Sequence, residues 1–301
     1  MPVEIGREGR DRARGRYGAP VAHQVSVRGL ALACHPGPTA VVTSLALALA
    51  VGVGAPVGVA ATVTAAVFAG QLSIGWSNDW IDAQRDVAAG RTDKPIVGGS
   101  VGAGHLRVAA LTAAGACVPL SFAVGWDAGL VHVAAVACGW AYNDGLKSGV
   151  WSWLPYAVAF GLLPVFIVLA LPAGSTTAGW AIAAGALLGV GAHLANVLPD
   201  LEDDRAHGIH GLPHRLGRTP TSVLAPAVLG VAVAVVVLAP AGGPGPVAWA
   251  GGLLAVLLAV AAGVVALTRP RSRVPFTLTM AVAAACVTLL VLAGPQVALG
   301  V

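Results

Sequence analysis

The chain has 301 residues, of which 57% are hydrophobic and 10% are charged, and its mean hydropathy is +0.82. Soluble domains carry about 25% charged residues, so this composition excludes a soluble globular protein and indicates an integral membrane protein. The net charge of +4 is explained by the membrane topology predicted below, and it gives no support to nucleic-acid binding.

Hydropathy predicts an all-α fold, a polytopic membrane bundle of about nine transmembrane helices with about 20 residues each. Residues 1–28 are rich in Arg and Gly, and we predict a disordered basic tail there, followed by a single intramembrane domain over residues 29–301. The predicted spans are 39–56, 57–77, 107–125, 128–145, 151–171, 178–198, 221–239, 246–267 and 274–293.

The distribution of charge predicts the orientation of these spans. With the N-terminus placed inside, all 17 Lys and Arg residues fall on the cytoplasmic side, as basic residues of membrane proteins do. Of the 13 acidic residues, only Asp127 falls outside. We therefore predict a multi-pass protein of the cell membrane with cytoplasmic polar loops and a basic tail close to anionic membrane lipid.

A ladder of polar residues follows the second predicted span. Asn78, Asp82 and Asp86 are four residues apart, so on a helix they share one face. Clustered carboxylates repel one another unless a cation lies among them, and oxygen ligands suit Mg²⁺. Arg91 and Lys94 follow in the next loop, which suits a polyanion such as a diphosphate bridged by Mg²⁺. The alternative is an ordinary solvated loop.

The fourth predicted span ends near Tyr142 and Lys147. A single Lys at a helix end is about as often a residue that snorkels to the interface or fixes topology as one that binds a ligand. Tyr142 either packs, donates to a phosphate oxygen, or offers its ring face to a cation.

A second ladder, Asn196, Asp200 and Asp204, follows the sixth predicted span at the same four-residue steps. Pro199 either begins a new helix there or kinks the old one. Four spans separate the ladders, which places them on the same side of the membrane and suggests an internal repeat. We predict that the ladders face each other around Mg²⁺ and one diphosphate. His193 lies one turn earlier, and is more often a packed core residue than a functional one.

These motifs resemble those of the intramembrane UbiA-type aromatic prenyltransferases. The resemblance covers about residues 30–293 and includes the number of spans. Its motifs are Asn78-Asp79-x-x-Asp82-x-x-x-Asp86, Arg91-x-x-Lys94-Pro95, Tyr142-Asn143-x-x-Leu146-Lys147 and Asp200-x-x-x-Asp204.

The resemblance implies that the chain uses Mg²⁺ to ionise a prenyl diphosphate and transfers the prenyl group to an aromatic or other lipophilic acceptor. It implies that Arg91, Lys94 and Lys147 hold the diphosphate, with Tyr142 near the leaving group or the allylic carbon. The metal and diphosphate ligands that it implies are Asn78, Asp79, Asp82, Asp86, Asn196, Asp200 and Asp204. Glu202 and Asp203 offer competing carboxylates beside the second ladder, and Ser148 stands where related proteins often carry a second base.

Three other functions stay open. Within the same fold, the chain could cyclise a prenyl group without an external acceptor, or join a polyprenyl phosphate to a phosphorylated sugar. A divalent-cation transporter is the remote alternative, since both ladders lie on one face of the membrane and a transport path would need polar groups at depth and on the far side.

Overall fold

The computed structural model of the chain describes residues 26–92, 94–171 and 175–300. This part of the chain is almost entirely helical, as predicted, and contains thirteen α-helices. They are α1 (Val27–Ala33), α2 (Pro36–Gly52), α3 (Val57–Ile81), α4 (Ala83–Ala88), α5 (Ala103–Phe122), α6 (Trp126–Asp144), α7 (Leu154–Leu169), α8 (Gly179–Val197), α9 (Leu201–Ala206), α10 (Leu212–Leu216), α11 (Arg218–Leu238), α12 (Pro246–Thr268) and α13 (Val274–Ala293).

Nine long helices correspond to the nine predicted spans, and they are α2, α3, α5, α6, α7, α8, α11, α12 and α13. The all-α polytopic fold is therefore confirmed. Six of the nine are long and apolar enough to cross a membrane by length and composition alone. Helices α1 and α2 would make a seventh as one span bent by 65°, and α7 is a shorter apolar helix of 16 residues. Helix α6 is less apolar, because it carries Asp127 in its first turn and Asn143 and Asp144 in its last.

The long helices pack in a closed ring. Helices α2, α3, α6, α7, α8, α11, α12 and α13 each contact the next, α13 returns to α2, and α5 packs against α3 and α6. Small residues allow the close approach, as expected for helices in lipid. A Cβ on Gly189 of α8 would lie 2.4 Å from the carbonyl oxygen of Tyr156 on α7. At one end of the bundle, a two-stranded antiparallel pairing of β1 (Thr176–Thr177) with β2 (Ala298–Leu299) joins the α7–α8 connection to the C-terminal segment.

Helix α1 and the turn after it pack against the C-terminal end of α3, at the end of the bundle opposite to this strand pairing. A Cβ on Gly75 would lie 2.4 Å from the carbonyl oxygen of Cys34, so only Gly permits this approach. The indole nitrogen of Trp76 donates to the carbonyl oxygen of Leu30 at 2.9 Å. His35 adopts a left-handed conformation with φ of 54° and directly precedes α2, which begins three residues before the first predicted span of 39–56.

The boundary predicted for the basic tail is wrong by two residues. Val27 and Arg28, which the sequence placed in a tail over residues 1–28, belong to α1. Ser26 is the N-cap residue of this helix, and residues 1–25 of the predicted tail lie outside the described residues.

Candidate active site

A cavity of about 520 Å³ opens at the end of the bundle where α3, α6 and α8 finish. Its polar wall contains every site residue predicted from the sequence, and the remaining wall includes the apolar side chains of Val42, Phe160, Phe276 and Met280. The predicted residues on the wall are Asn78, Asp79, Asp82, Asp86, Arg91, Lys94, Tyr142, Lys147, Asn196, Asp200 and Asp204. The fold thus gathers both ladders and all four predicted catalytic residues around one space.

The first ladder crosses a short break between two helices. Helix α3 ends at Ile81 and α4 begins at Ala83, with Asp82 between them. Helical hydrogen bonding nevertheless continues, because the amide of Asp82 donates to Asn78 at 3.0 Å and the amide of Asp86 donates to Asp82 at 2.8 Å. The four-residue steps therefore keep their common face, and Asp79, Asp82 and Asp86 are all buried in the wall.

The second ladder lies on three successive helical segments. Asn196 is in α8, Asp200 ends a 3-10 turn over Leu198–Asp200, and Asp204 is in α9. Pro199 lies in the first turn of this 3-10 segment, so of the two alternatives it begins a new helical segment rather than kinking α8. Arg91, from the loop after the first ladder, donates to a carboxylate oxygen of Asp200 at 3.0 Å. This ion pair joins the two motifs across the cavity, so the ladders face each other.

Basic side chains contact the carboxylates directly. The ammonium nitrogen of Lys94 lies 2.5 Å from Asp79 Oδ1, and that of Lys147 lies 2.5 Å from Asp82 Oδ1. Arg85 contacts the other oxygen of Asp82 at 2.6 Å. Burial lowers the pKa of Lys147, while the charge of Asp82 acts in the opposite direction. Lys147 is thus a buried partner of the first ladder rather than a residue that snorkels to the interface.

Two carboxylate oxygens on the cavity wall suit a divalent cation. Asp79 Oδ2 and Asp86 Oδ2 are buried and have no hydrogen-bond partner among the described residues. Burial also raises the pKa of Asp86 and outweighs the opposing charges of Lys94, Arg85 and Arg91. Within the part of the chain that the structure describes, no group of three or more His, Cys, Asp or Glu side chains stands ready to hold a metal ion. Asp79, Asp82 and Asp200 are instead paired with Lys or Arg. Carboxylate oxygens are nevertheless the type of ligand that Mg²⁺ prefers.

Sequence reasoning did not assign four further residues of the wall: His35, Arg85, Asn143 and His214. His35 Nε2 lies 3.1 Å from Asp79 Oδ1. Asn143 Oδ1 accepts from the Asn78 amide at 3.1 Å, which fixes the first rung of the ladder. The sequence could have indicated Asn143, which is named in a quoted motif, and Arg85, which lies between Asp82 and Asp86 of another. The sequence contains no such indication for His35 and His214, because only the tertiary fold brings them to the cavity.

His193 does not line the cavity and behaves as a packed core residue. Its side chain is 1% exposed, and Nε2 lies 3.1 Å from the hydroxyl of Ser152. Its ring centroid lies 5.6 Å from that of Tyr142 and 4.9 Å from that of Tyr156. The His193 ring therefore packs against the Tyr142 ring outside the cavity, whereas Tyr142 itself lies on the cavity wall.

Known proteins share the sequence pattern and the fold. The model of the UbiA prenyltransferase family matches residues 39–283. The 33 kDa chain of bacteriochlorophyll synthase from Cereibacter sphaeroides is 32% identical over 186 residues, which cover 57% of this chain and 60% of that protein. The alignment thus spans less than two thirds of that relative.

Two solved structures resemble the fold of the whole bundle. A UbiA homologue from Aeropyrum pernix K1 superposes with a TM-score of 0.67 at 21% identity, covering 83% of this chain and 97% of that one. A UbiA homologue from Archaeoglobus fulgidus bound to GPP and Mg²⁺ superposes with a TM-score of 0.64 at 14% identity, covering 88% and 99%. The family model covers most of the sequence, and the chain belongs to the UbiA prenyltransferase family.

Proposed function

We propose that this protein transfers the prenyl group of a prenyl diphosphate to an aromatic or other lipophilic acceptor, with Mg²⁺ bound between the two ladders. One observation carries the proposal. Two facing Asn/Asp ladders and three cationic side chains, Arg91, Lys94 and Lys147, line the polar part of a single cavity whose other walls are apolar. A prenyl diphosphate has the same division into a polyanionic head and an apolar chain.

The proposed ligands of the metal and the diphosphate come from both ladders. They are Asn78, Asp79, Asp82, Asp86, Asn196, Asp200 and Asp204. Mg²⁺, when bound there, would supply positive charge that stabilises the leaving diphosphate. The UbiA homologue from A. fulgidus was solved with GPP and Mg²⁺, which supports the choice of metal and of a prenyl diphosphate.

Arg91, Lys94 and Lys147 would change partners when the substrate binds. In the structure they neutralise Asp200, Asp79 and Asp82. Their N–H groups would then donate to the phosphate oxygens, and the carboxylate oxygens of these three Asp residues would be available to hold the metal. As the C1–O bond breaks, its electron pair leaves with the diphosphate, and these cations are already in place to stabilise the added charge.

The allylic cation that remains must react with the acceptor before water reaches it. Tyr142 contributes its ring face near the cation, a contact that aromatic rings make favourably. The apolar walls at Phe160, Phe276 and Met280 exclude water and hold the prenyl chain. The new bond forms between C1 of the prenyl group and the nucleophilic atom of the acceptor, which then loses a proton.

We further propose that this end of the bundle faces the cytoplasm and that membrane lipid surrounds the rest. The predicted bias of Lys and Arg supports this orientation. Diphosphate substrates would then enter from the aqueous side at the polar wall, while the isoprenoid chain lies within the bundle.

The test is product analysis. Purified protein in lipid nanodiscs would be incubated with Mg²⁺, labelled prenyl diphosphates of several lengths and a lipid extract of the host, and products would be identified by mass. We expect a product carrying both the prenyl label and an acceptor mass, and loss of that product when EDTA removes the metal.

Two matched variants distinguish the role of a second-ladder residue from that of an exposed neighbour. Asp200→Asn removes a proposed ligand and should abolish the product, whereas Asp203→Asn changes an exposed neighbour outside the cavity wall and should leave it. Label released as a cyclic hydrocarbon or alcohol would show a cyclase instead. Absence of any Mg²⁺-dependent product with diphosphates would overturn the proposal, and a product from polyprenyl phosphate and a sugar diphosphate would replace it.

A further inference from the structure

His214 is a buried histidine on the cavity wall with no hydrogen-bond partner. It lies in α10, its side chain is 2% exposed, and both ring nitrogens lack a partner among the described residues. Buried polar side chains are nearly always paired, and one left unpaired costs about 1–3 kcal/mol. The arrangement therefore indicates a group that enters the cavity and pairs with this ring.

The surrounding contacts hold His214 in place. A Cβ on Gly211 would lie 2.5 Å from the carbonyl oxygen of Lys147, so the chain before α10 lies directly against the Lys147 segment. The amide of Leu212 donates to the hydroxyl of Ser152 at 2.9 Å, and the hydroxyl of Thr221 donates to the carbonyl oxygen of Pro213 at 3.3 Å. Helix α10 is thus fixed on both sides, and its buried ring is presented to the cavity.

The neighbour of this ring is the last carboxylate of the second ladder. His214 Nε2 lies 3.6 Å from Asp204 Oδ2, which is too far for a hydrogen bond. Two ligands about 2.1 Å from one ion lie about 3.0 Å apart at a right angle and about 3.4 Å apart at a tetrahedral angle. A movement of a few tenths of an ångström would therefore let both atoms bind the same ion.

We propose that His214 Nε2 is a metal ligand beside Asp204, so that the second ladder offers a nitrogen as well as oxygens. This inference rests on the proposed function, because the ion concerned is the one that accompanies the diphosphate. Asp79, Asp82 and Asp200 each contact a Lys or Arg, whereas Asp204 has an imidazole beside it, and the lone pair of an imidazole nitrogen can bind a cation together with the carboxylate.

A nitrogen ligand from His214 would change which divalent metal the site prefers. Mg²⁺ prefers oxygen ligands in a near-ideal octahedron, while Mn²⁺ and Co²⁺ accept imidazole readily. The site should therefore bind Mn²⁺ or Co²⁺ more tightly than an all-oxygen site would, while still accepting Mg²⁺. The alternative partner for the ring is a polar group of the acceptor, which would leave metal binding unchanged.

The test uses Mn²⁺ and inorganic pyrophosphate with the full-length protein in nanodiscs. Pulsed electron paramagnetic resonance detects the nuclear modulation of a nitrogen bound to Mn²⁺, and titration of the free Mn²⁺ signal gives the affinity. We expect nitrogen modulation in the native protein and in His210→Leu, which replaces an exposed histidine in the loop that precedes α10. In His214→Leu we expect no modulation and Mn²⁺ affinity weaker by about tenfold, with a smaller change for Mg²⁺.

Folding and metal binding can be distinguished in the same variants. His214→Leu keeps the buried volume and removes two unpaired nitrogens, so its melting temperature in EDTA should equal or exceed that of the native protein. The increase in melting temperature on adding Mn²⁺ and pyrophosphate should be smaller in this variant. A loss of stability in EDTA would indicate a packing role and overturn the proposal.

The outcomes also separate this inference from the proposed function. Mn²⁺ bound to the native protein without nitrogen modulation, or with modulation that persists in His214→Leu, would overturn the role of His214 alone. If the native protein bound no Mn²⁺ in the presence of pyrophosphate, both proposals would be overturned.

Discussion

Asp82 and Lys147 form a buried ion pair on the cavity wall. Each side chain is 8% exposed. We expect Asp82→Asn to abolish prenyl transfer, and also to destabilise the protein by about 3–5 kcal/mol, because it leaves the Lys147 charge buried beside Arg85 without its main partner. The measurements are turnover of labelled prenyl diphosphate and the melting temperature of the purified variant.

A double variant separates these two effects. Adding Lys147→Met to Asp82→Asn removes the stranded charge and should restore most of the lost stability, while turnover stays absent. Recovery of turnover in the double variant would contradict the assignment of both residues to the site.

Asp200 provides the contrasting case. Its side chain is 34% exposed and that of its partner Arg91 is 22% exposed, so the pair is screened by solvent and should contribute no more than about 1 kcal/mol. We expect Asp200→Asn to abolish transfer with little change in melting temperature. A melting temperature that falls as far as that of Asp82→Asn would show that the cross-cavity pair is structural.

At the scale of elements, the approach of α3 to the α1–α2 turn places His35 beside Asp79. We expect Gly75→Ala to destabilise the protein by about 1–3 kcal/mol, because the new methyl group meets the carbonyl oxygen of Cys34 and must displace the turn. The displacement should also raise the KM for the prenyl diphosphate. Melting temperature and steady-state kinetics measure both effects.

Gly58 offers a control in the same helix. A Cβ there meets nothing within 4 Å, so Gly58→Ala should be neutral or slightly stabilising, as Ala is favoured over Gly in helices. Equal losses of stability in both variants would show that the close approach at Gly75 is not what matters.

The elements that the sequence predicted are those with a strong local signal. Nine apolar stretches produced nine long helices, and the four-residue spacing from Asn78 to Asp86 placed a ladder on one face. The break at Asp82 and the 3-10 turn at Pro199 are local deviations that this spacing does not encode. Helix α1 was missed because its seven residues lie next to an Arg-rich segment and are stabilised by contacts with Ser100 and Trp76.

The parts of the site that the sequence did not predict depend on contacts between distant residues. His35 is 44 residues from Asp79 and reaches it through a left-handed turn. His214 lies on the wall because the start of α10 packs closely against the segment that contains Lys147 and Ser152. A spacing rule within one helix contains no information about either arrangement.

At the scale of the whole molecule, α6 is one of the helices on which a count of nine crossings depends. Although α6 is less apolar than its neighbours, it lies in the ring between α3 and α7. We expect single cysteines at Asp127 and Asp144, both exposed, to react with a membrane-impermeant maleimide from opposite faces of a vesicle.

The labelling experiment needs a background without the native thiols Cys34, Cys117, Cys138 and Cys286, each replaced by Ala. A cysteine at the exposed residue Thr92 should react from the same face as Asp144, since two helices separate them. Reaction of Asp127 and Asp144 from one face would show that α6 does not span the membrane and would lower the count.

The acid–base pairs on the cavity wall have a thermodynamic consequence for the proposed enzyme. A metal that binds the carboxylates releases Lys94, Lys147 and Arg91, and a diphosphate that binds those side chains releases the carboxylates. Each ligand therefore removes the competitor of the other, so the two should bind with positive cooperativity. Linkage requires the coupling to be reciprocal: the factor by which Mg²⁺ raises the affinity for diphosphate equals the factor by which diphosphate raises the affinity for Mg²⁺.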